Sequence, residues 1–369
     1  MIRAALLGLA ALCGVMQAAA ADDWRREDLR IPMAAAGPRG LEAMLLRPPG
    51  ARRYPLALIS HGSPRAAADR PAMNPYRLYA QATEFARRGF ASLVVMRRGY
   101  GTSDGGYAES SGPCDHRDYR MAGQASATDL RAAIDAMRGR ADVTTEGMIA
   151  VGVSAGGFAS VALAADPPPG LAAIISFAGG RGSRADDDVC DEAALVAAFA
   201  GYGRTARLPM LWVYAANDKF FGPDLAHRLH GAFTAAGGRA RLIDAPAFGS
   251  DGHALFSAAG VPAWTPMVNG FLREQGLGVR DLIAAPGVTL APPPQLRGTG
   301  RAAFDTYLAS GPHRAFAASP KGAFAFRTGE RSVAEAEEKT LAACAKYAGD
   351  CAIYAVDDRL AVTAEPRPR

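Results

Sequence analysis

The sequence predicts an α/β protein, a mostly parallel sheet with helices on both faces, followed by a small C-terminal ββαβ unit. Two observations carry this expectation. From Leu41 to about Gln275, short continuous apolar runs alternate with longer segments of helical period, the pattern of a sheet buried on both faces. A Pro- and Gly-rich stretch then interrupts that alternation, and a compact group of short elements follows it.

The first residues read as a secretory signal peptide, residues 1–21. Met1-Ile2-Arg3 is basic, Ala4–Met16 is apolar, and Gln17-Ala18-Ala19-Ala20-Ala21-Asp22 offers small residues for cleavage after Ala20 or Ala21. The apolar run falls short of the roughly 20 residues that cross a bilayer. A periplasmic or secreted location, with no stable membrane insertion after cleavage, is therefore expected. Cys13 follows Leu12, where lipid attachment wants a small side chain.

Strands are expected at Leu56–Ser60, Ala91–Met96, Met148–Val153, Ala172–Phe177, Met210–Ala215 and, more weakly, Ala240–Ile243, with Leu41–Leu46 as an antiparallel edge. Helices fall between them at Tyr76–Arg88, Ala122–Met137, Phe158–Ala165, Asp191–Tyr202 and Leu225–Ala236, and a last one near Pro266–Gln275 closes this domain, residues 22–276. Residues 277–300 read as a linker. In residues 301–369, Ala315–Ala318 and Ala323–Arg327 flank a Ser-Pro-Lys-Gly turn. Ser332 with Glu335 caps a helix running to about Tyr347, and Ala352–Val356 is a final strand.

Removing the signal leaves Cys114, Cys190, Cys344 and Cys351, an even number suited to an oxidising compartment. Their positions suggest Cys114–Cys190 and Cys344–Cys351, the second stapling helix to strand in a unit too small to hold much core. The net charge of +5 is small for 369 residues, and no arginine-lysine stripe interleaves with aromatics, so nucleic-acid binding is not expected. No cofactor or metal is implied: the cluster of His116 with Cys114, Asp115 and Asp118 reads as a disulfide-anchored loop.

The chemistry concentrates at Gly152-Val153-Ser154-Ala155-Gly156, a G-x-S-x-G pattern between a strand and a helix. A turn that sharp exposes the serine above the carboxyl edge of the sheet. A hydroxyl is a weak nucleophile at neutral pH and needs a base, itself oriented by a carboxylate. Asp218 stands just past the strand Met210–Ala215, and His253 follows Gly252 in a later loop, in the order Ser, Asp, His. His227 and His230 lie within a helix, His116 in a loop and His313 beyond the linker; Asp244 and Asp251 rival Asp218, but Asp251 is too near His253 to orient its ring comfortably. Oxyanion donors are expected from the backbone N–H groups of Ala155, at a helix N-terminus, and Ser63, in the His61-Gly62-Ser63-Pro64 loop.

Together His61-Gly62, the Arg98–Gly105 stretch, the elbow at Ser154, Asn217-Asp218 and Gly252-His253 resemble the α/β-hydrolase superfamily, within it the dienelactone hydrolase-like and prolyl-oligopeptidase-like branches. The resemblance spans nearly all of Leu41 to Gln275 and implies serine hydrolase chemistry. It departs from true dienelactone hydrolases, which use cysteine where Ser154 stands. Three readings follow. The leading one is a hydrolase of small soluble carboxylic esters, because no long apolar lid follows the elbow. The second uses the same triad on peptides or aminoacyl amides. The third is a binding protein on a hydrolase scaffold, with the C-terminal unit meeting a protein or envelope partner.

Overall fold

The computed structural model describes residues 24–361; the expected signal peptide lies outside them. An eight-stranded sheet is built from β1 (Arg25–Ile31), β2 (Leu41–Arg47), β3 (Tyr54–Ser60), β4 (Ala91–Val95), β5 (Val143–Val153), β6 (Leu171–Phe177), β9 (Met210–Ala215) and β10 (Ala240–Ala245). Its spatial order is β1-β2-β4-β3-β5-β6-β9-β10. From β4 to β10 every pairing is parallel, while β2 runs antiparallel to both β4 and β1. A small hairpin of β7 (Ser183–Ala185) and β8 (Asp188–Val189) stands apart.

Successive side chains of a strand point to opposite faces, and continuous apolar strands therefore feed two cores. In β5, Met148 and Ala150 face one core, Ile149 and Val151 the other. The first core is closed by α2 (Tyr119–Arg138), α3 (Ala155–Ala164), α4 (Glu192–Gly203) and α5 (Pro223–Ala235), through side chains such as Leu130, Phe158, Phe199 and Leu229. The second is closed by α1 (Tyr79–Arg87) and α6 (Val261–Glu274), through Phe85, Trp264 and Phe271. These are the helices on both faces that the alternation predicts.

Besides the β7–β8 hairpin and a short last strand at Arg359–Leu360, two elements differ from expectation. The outer strand is β1, not β2: its sequence Arg25-Arg26-Glu27-Asp28-Leu29-Arg30-Ile31 has no apolar run, because an edge strand buries little. Beyond α6, Gly298–Gly300, expected at the end of the linker, instead opens α7 (Gly298–Leu308). This helix puts Phe304 and Tyr307 into a core of their own with Leu296 and Phe316. Next come β11 (Ala315–Ala318), β12 (Phe324–Arg327), α8 (Val333–Cys344), β13 (Ala352–Val356) and β14 (Arg359–Leu360), in a separate antiparallel sheet ordered β12-β11-β13-β14. Ser332 caps α8 by accepting from Glu335 N–H at 3.2 Å.

Both expected disulfides are formed, Cys114–Cys190 and Cys344–Cys351. The C-terminal unit docks on the main domain through Arg331, whose guanidinium meets Glu42 at 3.0 Å and also donates to the carbonyls of Pro71 and Met73. His313 packs edge-on against Tyr76, ring centroids 4.3 Å apart.

Candidate active site

At the junction of β5 and α3 the chain reverses within one residue. Ser154 adopts φ 56° and ψ −124°, a backbone region that costs a non-glycine residue on the order of 1–3 kcal/mol. Its surroundings enforce that geometry. Its N–H donates to Phe177 C=O at 2.9 Å, and its carbonyl accepts from Phe158 and Gly180. The flanking glycines are required by space: a methyl at Gly152 would meet the carbonyl of Gly156, and one at Gly156 would meet that of Ser60. Gly62 opposes the serine, with room for a Cβ only 3.1 Å from Ser154 Cβ. The small residues let the β3 loop, the elbow and the helix converge on one point.

Ser154 and His253 line the same open hollow of about 240 Å³, with Gly62, Ser63, Arg65 and Phe220. Asp218, fully enclosed, faces His253 Nδ1 with both carboxylate oxygens at 3.1 Å. Asp218 Oδ1 also accepts from the backbone N–H groups of Phe220 and Phe221 at 2.8 and 2.9 Å. With Nδ1 committed to the carboxylate, Nε2 is the imidazole atom left to exchange protons within the hollow. Asp251, the rival by sequence position, ties the two loops together instead. Its Oδ1 accepts from His253 N–H at 2.9 Å and from Lys219 N–H at 3.1 Å. The phenyl ring of Phe220 stacks on the imidazole, centroids 3.8 Å apart.

The other histidines lie elsewhere. His227 is exposed, 3.0 Å from Asp244; His230 bonds to the carbonyl of Ala240; His313 bonds to that of Glu330; His116 is exposed in its loop.

Behind the candidate oxyanion donors, His61 is buried, and its Nε2 accepts from Arg97 N–H at 3.1 Å. Nδ1 must then carry the proton it shares with Gly62 C=O at 2.6 Å. Burial, and secondarily the charge of Arg97, push its pKa down to about 3, so the ring is neutral and its tautomer fixed. Because the Gly62 carbonyl is held by that ring, the planar peptide to Ser63 has a fixed orientation, and so has the Ser63 N–H. Ala155 N–H opens α3 directly after Ser154.

Deeper still is a charged cluster that sequence reasoning missed. Glu109, enclosed from solvent, receives both Arg97 and Arg181 and also bonds Tyr100 Oη and Ser126 Oγ. Burial alone would raise the Glu109 carboxyl, but the two guanidinium groups override it and hold it well below the usual carboxylate range. Arg97 also donates to Ser60 Oγ and the His61 carbonyl, both at 2.8 Å. The cluster thus pins the loop that carries Ser63. Within the Arg98–Gly105 stretch, Arg98 binds Asp129 at 2.7 Å, so this loop is structural.

Among the described residues no group of three or more metal-ligating side chains occurs, and no helix is long and apolar enough to cross a membrane.

Comparison with known proteins adds three findings. A family model described as X-Pro dipeptidyl-peptidase (S15 family) matches residues 38–230, a stretch that holds Ser154 and Asp218 and ends before His253. An esterase from the Planctomycetes species Thermogutta terrifontis, solved with butyrate bound, is similar at 17% identity and TM-score 0.50, over 69% of this chain and 96% of that one. An acylaminoacyl peptidase in complex with Z-Gly-Gly-Phe-chloromethyl ketone is similar at 13% identity and TM-score 0.50, over 70% of this chain but only 42% of that one. No curated protein matches in sequence. At these identities the solved structures speak for the fold alone, and that fold is the α/β hydrolase.

Proposed function

The chain belongs to the X-Pro dipeptidyl-peptidase (S15) family, and from that premise we propose that it is an exported serine hydrolase cleaving carboxylic esters of small soluble substrates through an acyl-enzyme. The supporting observation is the Asp218–His253 pair at 3.1 Å opening on the same hollow as a serine at positive φ. In this reading His253 Nε2 takes the Ser154 proton as Oγ bonds to the ester carbonyl carbon. Asp218 stabilises the imidazolium, and the Ser63 and Ala155 N–H groups receive the oxyanion. Collapse breaks the bond to the leaving oxygen, which takes the proton from His253. Water, deprotonated by the same ring, then releases the acid and restores the serine.

Ester rather than dipeptide cleavage is favoured by charge. Release of an N-terminal dipeptide needs a carboxylate to hold a free α-ammonium. Among the described residues no acidic side chain lines the hollow shared by Ser154 and His253; Glu109 is spent on two arginines and Asp186 on Arg65 and Lys219. The family match itself supports a second reading, hydrolysis of peptides or aminoacyl amides by the same residues. Export is supported by the two disulfides, and the C-terminal unit is proposed to meet a protein or envelope partner.

A fluorophosphonate probe tests the reading: peptide mass spectrometry should find its adduct on Ser154. Short-chain chromogenic esters should be turned over faster than X-Pro anilides, and Ser154→Ala should lose about 10⁴–10⁶ of the rate. Equal turnover by wild type and Ser154→Ala removes the proposal.

A further inference from the structure

A second hollow, of about 190 Å³, adjoins the first: Ser63, Ser154 and Ala155 line it, and His253 does not. The group beside the histidine must be the leaving group, which needs its proton; the hollow reached by the serine and the oxyanion donors alone therefore takes the acyl part. Five arginines line it, Arg65, Arg70, Arg117, Arg181 and Arg184, and among the described residues no acidic side chain does.

Three of these arginines have an ion-pair partner, though Glu109 is shared with Arg97 and Asp186 with Lys219. Arg65 pairs with Asp186, Arg184 with Asp188 and Arg181 with Glu109. Among the described residues, Arg70 and Arg117 have no such ion pair. Arg70 lies over the ring of Tyr107, 3.5 Å from its centroid. Arg117 donates to Ser111, the Gly112 carbonyl and Cys190 Sγ. Asp191, the carboxylate whose field reaches Arg117, accepts instead from the backbone N–H groups of Arg117 and Ala194.

Resting on the ester-hydrolase reading, we propose that the preferred substrates are esters whose acyl group ends in a carboxylate, monoesters of short dicarboxylic acids. The carboxylate completes Arg70 and Arg117 in the second hollow while the ester carbonyl lies at Ser154. The hollow holds roughly six water-sized groups, the size of a four- or five-carbon diacid. Hydrolysis adds water across the ester bond, giving the diacid and the alcohol.

The test compares ethyl valerate, monoethyl glutarate and ethyl 4-(trimethylammonio)butyrate, with acid release followed by titration at constant pH. Monoethyl glutarate should exceed ethyl valerate in kcat/KM by roughly tenfold to a hundredfold, the range of hydrogen bonds to charged groups, and the cationic ester should be the poorest. Arg70→Gln and Arg117→Gln should each shrink the glutarate-to-valerate ratio, and raised salt should shrink it in the wild type. A ratio near one, a preference for the cationic ester, or a ratio unmoved in both variants overturns the proposal. If ethyl valerate is still hydrolysed in a Ser154-dependent way, the ester-hydrolase reading survives that failure. No turnover of any ester and no fluorophosphonate adduct removes both.

Discussion

Phe220 lies parallel to the imidazole of His253, the planes within 10° and the centroids 3.8 Å apart, and the guanidinium of Arg65 sits 3.6 Å from the centre of the same phenyl ring. Two faces of one aromatic ring thus join a cation to the candidate base. The stack leaves the imidazole a single plane, and Asp218 fixes its rotation within that plane.

Phe220→Ala should therefore lower kcat for a neutral ester by roughly tenfold to a hundredfold, the scale of a small misplacement of a reacting group. Phe220→Tyr should retain most of the rate. Steady-state kinetics on short-chain esters check this, and an unchanged kcat in Phe220→Ala would show that Asp218 suffices.

His61 acts at one remove, through the peptide that carries Ser63 N–H. His61→Phe should reduce kcat by about 10²-fold, the scale of one lost oxyanion donor, with KM much less affected. It should also destabilise the fold by about 1–3 kcal/mol, because Arg97 N–H loses its buried acceptor. Kinetics and thermal melting of the same preparation separate the two effects.

Stability should fall in acid for the same reason. The folded chain keeps His61 neutral down to about pH 3, whereas the unfolded chain protonates it near 6.5. Between those values the unfolded state binds more protons, so lowering the pH favours unfolding, by up to about 1.4 kcal/mol per pH unit for this one ring. Above pH 6.5 the ring has no effect on the pH dependence. Urea melts from pH 7 to pH 4 should show a slope that flattens in His61→Gln; an identical slope in both would assign the acid loss to other groups.

The two disulfides should differ in weight. Cys114 and Cys190 are 76 residues apart and Cys344 and Cys351 only 7. Loop closure predicts about 4 kcal/mol for the first and about 2 for the second. Melting of the paired serine variants checks the order. Loss of the first pair should also weaken the charge preference of the site, since Arg117 bonds to Cys190 Sγ.

Much of this site is visible in the sequence because its parts are local. Ser154 sits in a pattern whose glycines are demanded by close backbone approach; Asp218 follows a strand that a continuous apolar run reveals, and His253 lies in the loop after the weaker run at Ala240–Ile243. Charge and stacking partners are not local. Glu109 meets Arg97 from 12 residues away and Arg181 from 72, and nothing in a scattered arginine pair or a lone glutamate announces enclosure. Phe220 is two residues past Asp218, yet its ring reaches His253 only because Asp218 Oδ1 turns the chain there. The edge strand β1 and helix α7 are hidden for a related reason: the strand is largely charged, and the helix begins with Gly298 and Gly300.

Arg331 grips the carbonyls of Pro71 and Met73, on either side of Ala72 and within three residues of Arg70. The appended unit therefore braces, from outside, the rim of the second hollow, which Arg70 lines. Loosening that brace with Arg331→Ala should blunt discrimination between charged and neutral acyl chains more than it slows the neutral ones. A tail that touches no reacting atom would then govern what the enzyme accepts, and whatever docks on that tail would inherit the control.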